Sequence, residues 1–267
     1  MIGIEAEHMT VATRRALLDG LSKGAKLKET SGLIERLRMV KQPEEIERLR
    51  AAVITGSELL DSALDAIRPG VTEAEVAGAL EFAARRKGCE GMSFPTIVAS
   101  GVRSALPHGT ASAAPIPRNG FVVMDFGVIL GAYCSDMTRT VHVGRASADM
   151  RALYEAVREA QQAGIEAVRA GEEAGKVDKA TRRVLQRAGL ARYFTHSTGH
   201  GVGLEIHEMP RLARAVTEVL QPGMVITIEP GVYVAGKGGV RIEDMVVVTE
   251  RGCEVLTPSP KELITIG

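Results

Sequence analysis

A chain of 267 residues can bury a substantial core, as one large domain or as one domain with an appendage. Its 33 basic and 33 acidic side chains cancel, which argues against a nucleic-acid or polyanion partner. No apolar run reaches the ~18 residues of a membrane span, the first residues lack a secretory pattern, and three scattered cysteines make neither a zinc spacing nor a disulfide framework, so a cytoplasmic protein with no membrane contact is expected.

Residues 1–40 read as an appendage too small for a core of its own, with short helices over about 10–21 and 31–40. Pro43, followed by Glu44 and Glu45, opens a strong helix, because proline and acidic residues suit the first turn. Its apolar positions Ile46, Leu49, Val53, Leu60, Leu64 and Ile67 fit one face, and Pro69-Gly70 ends it. Thr72 with Glu75 forms a capping box for a second helix, which runs to about Lys87 and stops at Gly88. Strands follow near 93–99, 121–126, 130–134 and 138–143. A helix from Ser147 to about Ala170 and another over 174–188 come next, then strands near 224–229, 231–235 and 241–248.

The order helix, helix, strands occurs twice. At an offset of 101, Arg68-Pro-Gly70 meets Arg169-Ala-Gly171, Val76 meets Val177, Arg86 meets Arg187 and Gly88 meets Gly189. An internal repeat of this kind predicts two like halves facing one another with a site between them.

Residues 195–207, Thr-His-Ser-Thr-Gly-His-Gly-Val-Gly-Leu-Glu-Ile-His, hold three of the six histidines, with Gly199, Gly201 and Gly203 around His200. No Lys-Ser/Thr follows the glycines and no GxGxxG unit frames them, which sets aside a phosphate loop. Four carboxylates interrupt strands that otherwise read as core. Asp125 ends Val122-Val-Met-Asp, and Asp136 follows in Ser135-Asp-Met-Thr-Arg-Thr, with Gly131 between them permitting a hairpin. Glu229 ends Val225-Ile-Thr-Ile-Glu and Glu243 follows in Val240-Arg-Ile-Glu-Asp, with Gly236, Gly238 and Gly239 supplying the turn. Buried carboxylates persist when paired or bound to metal. Four carboxylates balance two divalent cations and a neutral His200 adds nothing, so a dinuclear centre with a bridging hydroxide is expected. Oxygen donors, one imidazole and no thiolate suit Mn²⁺ best, with Co²⁺ or Zn²⁺ also accommodated.

Over about residues 36–264 these motifs resemble the pita-bread metallopeptidases, the family of methionine aminopeptidase, aminopeptidase P and prolidase. The resemblance implies an α+β pita-bread fold, two pseudo-symmetric helix–helix–strand halves around a curved antiparallel sheet, with Asp125, Asp136, His200, Glu229 and Glu243 as the five metal ligands. Arg36-Leu-Arg-Met-Val-Lys41 with Pro43-Glu-Glu-Ile, the Asp136-Met-Thr-Arg-Thr and His196-Ser-Thr-Gly-His200 runs, and Arg241 look like the proline-specific branch. Methionine aminopeptidase, the alternative, usually carries Glu-His where this chain has Glu243-Asp244; a non-catalytic peptide-binding relative would not need a complete ligand set. By the same resemblance, the substrates are short peptides with proline second, and Glu229 shuttles a proton from the bridging water to the proline nitrogen. His207 is expected to bond the oxyanion, His108 to position the substrate and His196 to line the proline pocket, with Arg241 holding Asp136 or the substrate carboxylate; a purely structural role is the alternative for His196 and Arg241. Residues 1–40 are similar to the remnant of an N-terminal domain plus linker ahead of a catalytic domain over 41–267, and a homodimer is expected.

Overall fold

The computed structural model describes residues 1–22 and 24–267. Contacts divide the chain into two compact units, Met1–Arg38 and Met39–Gly267. In the first, β1 (Ile2–Glu5) pairs in parallel with β2 (Leu27–Thr30), a pairing that four-residue segments of mixed polarity do not announce, and α1 (Val11–Gly20) lies between them in sequence. Thr10 caps α1 by accepting from Thr13 N. Helix α2 (Leu33–Met39) leads to the larger unit.

That unit opens with α3 (Pro43–Ala66), whose N-terminus carries a capping box of Gln42 and Glu45 around the expected Pro43. Helix α4 (Glu73–Arg86) is closed by the Thr72–Glu75 box anticipated from the sequence. The expected strand at 93–99 is shorter and later: β3 (Gly91–Met92) precedes a bent stretch through Pro95, and β4 (Ile97–Ser100) begins only beyond it, since proline cannot donate to a ladder. Then come β5 (Gly120–Phe126), the small hairpin β6 (Val128–Leu130) and β7 (Tyr133–Cys134), and β8 (Met137–Val143). The second half follows with α5 (Ala148–Ala167), α6 (Ala174–Arg187), β9 (Gly199–Gly201), β10 (Glu208–Leu212), β11 (Val225–Ile228), the hairpin β12 (Gly231–Val234) and β13 (Gly238–Arg241), β14 (Asp244–Val248), β15 (Cys253–Val255) and β16 (Thr265–Ile266).

The repeat is real in three dimensions. Helix α6 begins and ends 101 residues after α4 (Glu73 to Ala174, Arg86 to Arg187). Gly70 and Gly171, then Gly88 and Gly189, take the same positive φ at helix ends, a conformation that costs glycine nothing. In each half a long strand pairs antiparallel with a partner beyond an intervening hairpin, β5 with β8 around β6–β7, and β11 with β14 around β12–β13.

The sheet has two parts, a four-stranded one ordered β16-β8-β5-β4 and a five-stranded one ordered β10-β9-β11-β14-β15. Its pairings are antiparallel except where β16 lies parallel to β8. The parts join where Glu243 N donates to Thr138 O at 3.1 Å and Arg241 N donates to Thr140 Oγ1 at 3.1 Å. One apolar core packs α3 and α4 on β5 and β8, with Leu59, Leu80, Met124 and Phe126 nearly inaccessible. The matching core of the second half sets α5 and α6 on β11 and β14 through Val177, Ile226, Ile228 and Val246. The helices therefore cover the outer faces, and the strand ends carrying the acids come together at the join.

Packing leaves no room at Gly164 on α5, where a Cβ would lie 2.7 Å from both Ile228 Cγ2 and Thr181 Oγ1. Gly164→Ala should cost about 1–3 kcal/mol through overpacking, read as a lowered melting temperature. An unchanged Tm would show that α5 and α6 separate freely.

Candidate metal centre

Five donors converge at the join. Asp125 sits near the end of β5 opposite Thr138 of β8, and Asp136 immediately precedes β8. The turn at Gly131 belongs to the intervening hairpin β6–β7, so Asp125 lies near the end of one long strand and Asp136 just before its pairing partner. Glu229 follows β11 and Glu243 precedes β14, which pair so that Ile228 faces Asp244. His200 is the centre of β9, a strand that the glycine-rich sequence conceals. Gly199 allows β9 to lie against β11, since a Cβ there would come within 1.9 Å of Thr227 O. Asp125, Asp136, His200 and Glu243 are buried, and Glu229 is 16% exposed at its side chain.

The hydrogen bonds occupy the outer side of each donor. His200 Nδ1 lies 3.0 Å from Gly201 O, so it carries the hydrogen and leaves Nε2 a bare lone pair. Burial lowers the His200 pKa to about 4, so the ring is neutral. Its Nε2 nevertheless stands 3.6 Å from Asp136 Oδ2 and 3.5 Å from Glu229 Oε1. Lone pair facing lone pair is unfavourable unless a cation or a proton lies between. Thr138 Oγ1 donates to Glu243 Oε2 at 2.6 Å, and Arg241 Nη2 donates to Asp125 Oδ2 at 2.6 Å. Asp125 Oδ1 is buried and has no hydrogen-bond partner among the described residues. Ligand atoms of Asp136, His200 and Glu243 lie within 4.8 Å of one another. An orphaned carboxylate oxygen, a bare imidazole nitrogen and converging acids fit divalent cations.

The acids strain against each other in the absence of metal. Burial first, then Glu243 and Asp125, push the Asp136 carboxyl well above its ordinary range. Burial, Glu229 and Asp125 do the same to Glu243. Burial takes Glu229 up to about 8 against the opposing pull of Arg241.

The remaining residues singled out in the sequence surround this centre. The His207 ring meets the His200 ring edge-on, centroids 4.4 Å apart, with His207 exposed. His196 Nε2 is 3.0 Å from the Tyr233 hydroxyl, and burial, then Arg241, lowers its pKa to about 4. His108 is exposed and adjoins Pro107, whose carbonyl accepts from Arg241 Nη1 at 3.0 Å. Arg241 holds Asp125 and not Asp136, because its Nε is fastened at 3.0 Å to Thr138 Oγ1, and Thr138 is the register partner of Asp125. Tyr233, whose hydroxyl oxygen accepts from the same guanidinium, carried no signal in the sequence beyond an apolar strand. His142 lies in the core against Gly144 O and Met150 Sδ, and His8 faces Glu35 in the first unit.

The profile of metallopeptidase family M24 matches residues 47–250. The chain belongs to this family. It is 45% identical over 237 residues to the Xaa-Pro dipeptidase of Pyrococcus furiosus, covering 89% of this chain and 68% of that protein. The Xaa-Pro dipeptidase structure from Bacillus anthracis superposes with a TM-score of 0.96 at 46% identity, over 99% of this chain and 74% of that one. An X-Pro aminopeptidase structure from Thermotoga maritima superposes with a TM-score of 0.94 at 37% identity, over 99% and 75%. The pita-bread fold of the M24 enzymes is thus the fold of this protein, and it is a metallopeptidase.

A pH dependence follows for the metal-free protein. Carboxyls with raised pKa bind more protons folded than unfolded, so they weaken the fold as pH climbs from the ordinary carboxylate range to the raised value, about 8 for Glu229. His196 and His200 act oppositely, but only between about 4 and their unfolded pKa of about 6.5. From pH 6.5 to 8 the carboxylates dominate among these groups. The Tm of chelator-treated protein should fall across that window and recover on adding Mn²⁺. A Tm that held level in chelator would mean the acids are not in conflict.

Proposed function

We propose that the protein hydrolyses Xaa-Pro peptide bonds in dipeptides or at the N-terminus of short peptides, using two divalent ions held by Asp125, Asp136, His200, Glu229 and Glu243. The observation that carries the reading is the bare His200 Nε2 facing Asp136 and Glu229, with an unpartnered Asp125 Oδ1 among the same buried acids, in a chain similar along nearly all its length to enzymes named for Xaa-Pro cleavage. Mn²⁺ is the proposed metal, because four of the five donors are carboxylates and none is sulfur. Bound ions would supply Lewis-acid polarisation of the scissile carbonyl and an acidified water. Residues 1–40 are taken as the remnant of an N-terminal domain with its linker, and 41–267 as the catalytic domain. The reading also takes the protein as a cytoplasmic homodimer, in keeping with three free cysteines.

The chain's own residues do the rest. An Xaa-Pro bond is a tertiary amide without N–H, so recognition falls on its carbonyl, the ring and the free amine. Glu229 in its ionised form takes a proton from the attacking water, and its carboxyl, whose proton affinity burial raises, passes that proton to the proline nitrogen as the C–N bond breaks. His207, exposed beside His200, donates to the oxygen that becomes negative in the tetrahedral intermediate. His108 stands at the rim and positions the substrate. His196 is held neutral and lines the proline pocket, joined through Tyr233 to Arg241. Arg241 spends one amino group on Asp125 Oδ2, which leaves Oδ1 as the oxygen with which Asp125 would hold an ion. Asp244, standing where a methionine aminopeptidase has histidine, is buried and bonded to Arg139 at 2.7 Å and Gln161 at 2.8 Å, so it acts in the framework.

Hydrolysis of Gly-Pro, Ala-Pro, an Xaa-Pro-Xaa tripeptide and a Met-Ala-Xaa tripeptide, each with Mn²⁺ and with chelator, tests the reading. Chelator-sensitive release from the Xaa-Pro substrates is the expected result, and the dipeptide-to-tripeptide ratio separates dipeptidase from aminopeptidase. Cleavage of the Met-Ala peptide alone would overturn the proline assignment. His207→Ala should lower kcat by about 10²-fold while Mn²⁺ content, read by elemental analysis, stays at the wild-type level. Metal loss that matched the activity loss would remove His207 from the chemistry.

A further inference from the structure

Behind His196 lies a buried acid–base pair that the catalytic reading leaves unused. Asp178 and Arg182 stand one turn apart on α6, and Arg182 Nε donates to Asp178 Oδ2 at 2.7 Å. Asp178 is almost wholly inaccessible and Arg182 is 16% exposed. In the nearby ion pairs Arg169–Glu172 and Lys176–Glu172, at i,i+3 and i,i+4, the basic partners are 64% and 58% exposed, so those pairs are formed at the surface. Taking a carboxylate out of water is costly unless its bonds are spent on something specific.

Here they are. The second Asp178 oxygen accepts from Thr198 Oγ1 at 2.8 Å, and Thr198 O in turn accepts from Glu229 N at 2.8 Å. The two terminal nitrogens of Arg182 reach the carbonyls of Phe194, at 3.1 Å, and His196. The guanidinium also lies over the Phe194 ring, 4.2 Å from its centroid. That ring meets His196 edge-to-face, with centroids 5.0 Å apart and planes at 89°. His196 is thus held at its backbone by Arg182, through a perpendicular ring contact by Phe194, and at its ring nitrogens by Ser197 O and the Tyr233 hydroxyl. A planar fork reaching two carbonyls while stacked on an aromatic ring is a geometry that lysine cannot reproduce.

We propose that Asp178 and Arg182 are positioning residues for substrate binding, fixing the His196 ring in the pocket through Phe194 and the 194–198 backbone. The inference rests on His196 contacting substrate. A pair that merely fastened α6 to the following segment would lower stability when broken, and it would do so equally with or without the His196 side chain.

The test is a double-mutant cycle on the Mn²⁺-loaded full chain. Asp178→Asn and the milder Arg182→Lys are each made alone and in combination with His196→Ala. Readouts are kcat and KM on Ala-Pro, Mn²⁺ content, and the His196 ring resonances of the chelated protein by NMR. Each single variant should raise KM about fivefold or more, leave Mn²⁺ content unchanged and move the His196 resonances. In the His196→Ala background each should add nothing further to KM, since the coupling energy then equals the whole effect. Full additivity with His196→Ala, or unmoved His196 resonances, would overturn the inference while leaving the role of His196 standing. If His196→Ala itself left KM unchanged, the role of His196 would fall and the inference with it. Should Asp178→Asn fail to fold, Arg182→Lys carries the same cycle.

Discussion

The governing constraint in this molecule is the repulsion among acids that share one buried pocket. Asp125, Asp136, Glu229 and Glu243 approach a single imidazole, and Arg241 is the cation engaged directly with one of them. Such an arrangement is unfavourable by itself, because burial penalises each charge and the neighbours penalise it again. The surrounding fold supplies what holds it. Thr138, Arg241 and the Gly201 carbonyl take up the outward-facing sites of Glu243, Asp125 and His200, and the inward-facing sites stay open. A dense apolar core on both sides provides the rigidity that keeps like charges together.

The internal repeat explains how one chain brings the acids to one place. Each half contributes a carboxylate where a long strand ends and another where its partner begins. The halves differ in what joins those acids. Only the second carries β9 with its histidine, laid beside β11 by a glycine that no other residue could replace without displacing Thr227 O. The first contributes the 3₁₀ segment Gly101–Ala105 and the turn with His108, fastened from below by the buried Glu73, which accepts from Ser100 N at 2.8 Å and Arg103 Nε at 3.0 Å. Similar scaffolding thus presents different side chains from its two sides.

Much of this was legible in the residues. Acids inside runs such as Val122-Val-Met-Asp and Val225-Ile-Thr-Ile-Glu contradict a core strand, and that contradiction is local, so it is visible in sequence. The helices were legible for the same reason, since Pro43, Thr72, Gly88 and Gly189 punctuate them locally. Strand β9 was not, because Gly-His-Gly has no strand propensity and pairs only through tertiary approach. The parallel pairing of β1 with β2 and the late β16 were likewise invisible, being contacts between distant short segments. The partner of Arg241 depended on the register of β5 against β8, which no spacing along β13 encodes. Asp178 and Arg182 stand at the i,i+4 spacing of any helical ion pair, and only the tertiary position of residues 194–198 shows what they hold.

The contacts of Arg139 bear on how the centre is made. Arg139, between Asp136 and the rest of β8, donates to the carbonyls of Ser259 and Pro260 at 2.7 and 2.8 Å, to Glu243 O at 2.6 Å and to Asp244 at 2.7 Å. Lys261 adds a contact to Asp244 at 3.0 Å. The guanidinium that binds the two sheet parts is therefore held by residues at least 104 positions further along the chain. A nascent chain that has exposed Asp125 and Asp136 still lacks Glu229, Glu243 and the carbonyls that fix Arg139. Assembly of the charged pocket therefore waits for the second half of the repeat, and a chain carrying the first half alone presents acids without the enclosure that would hold metal between them.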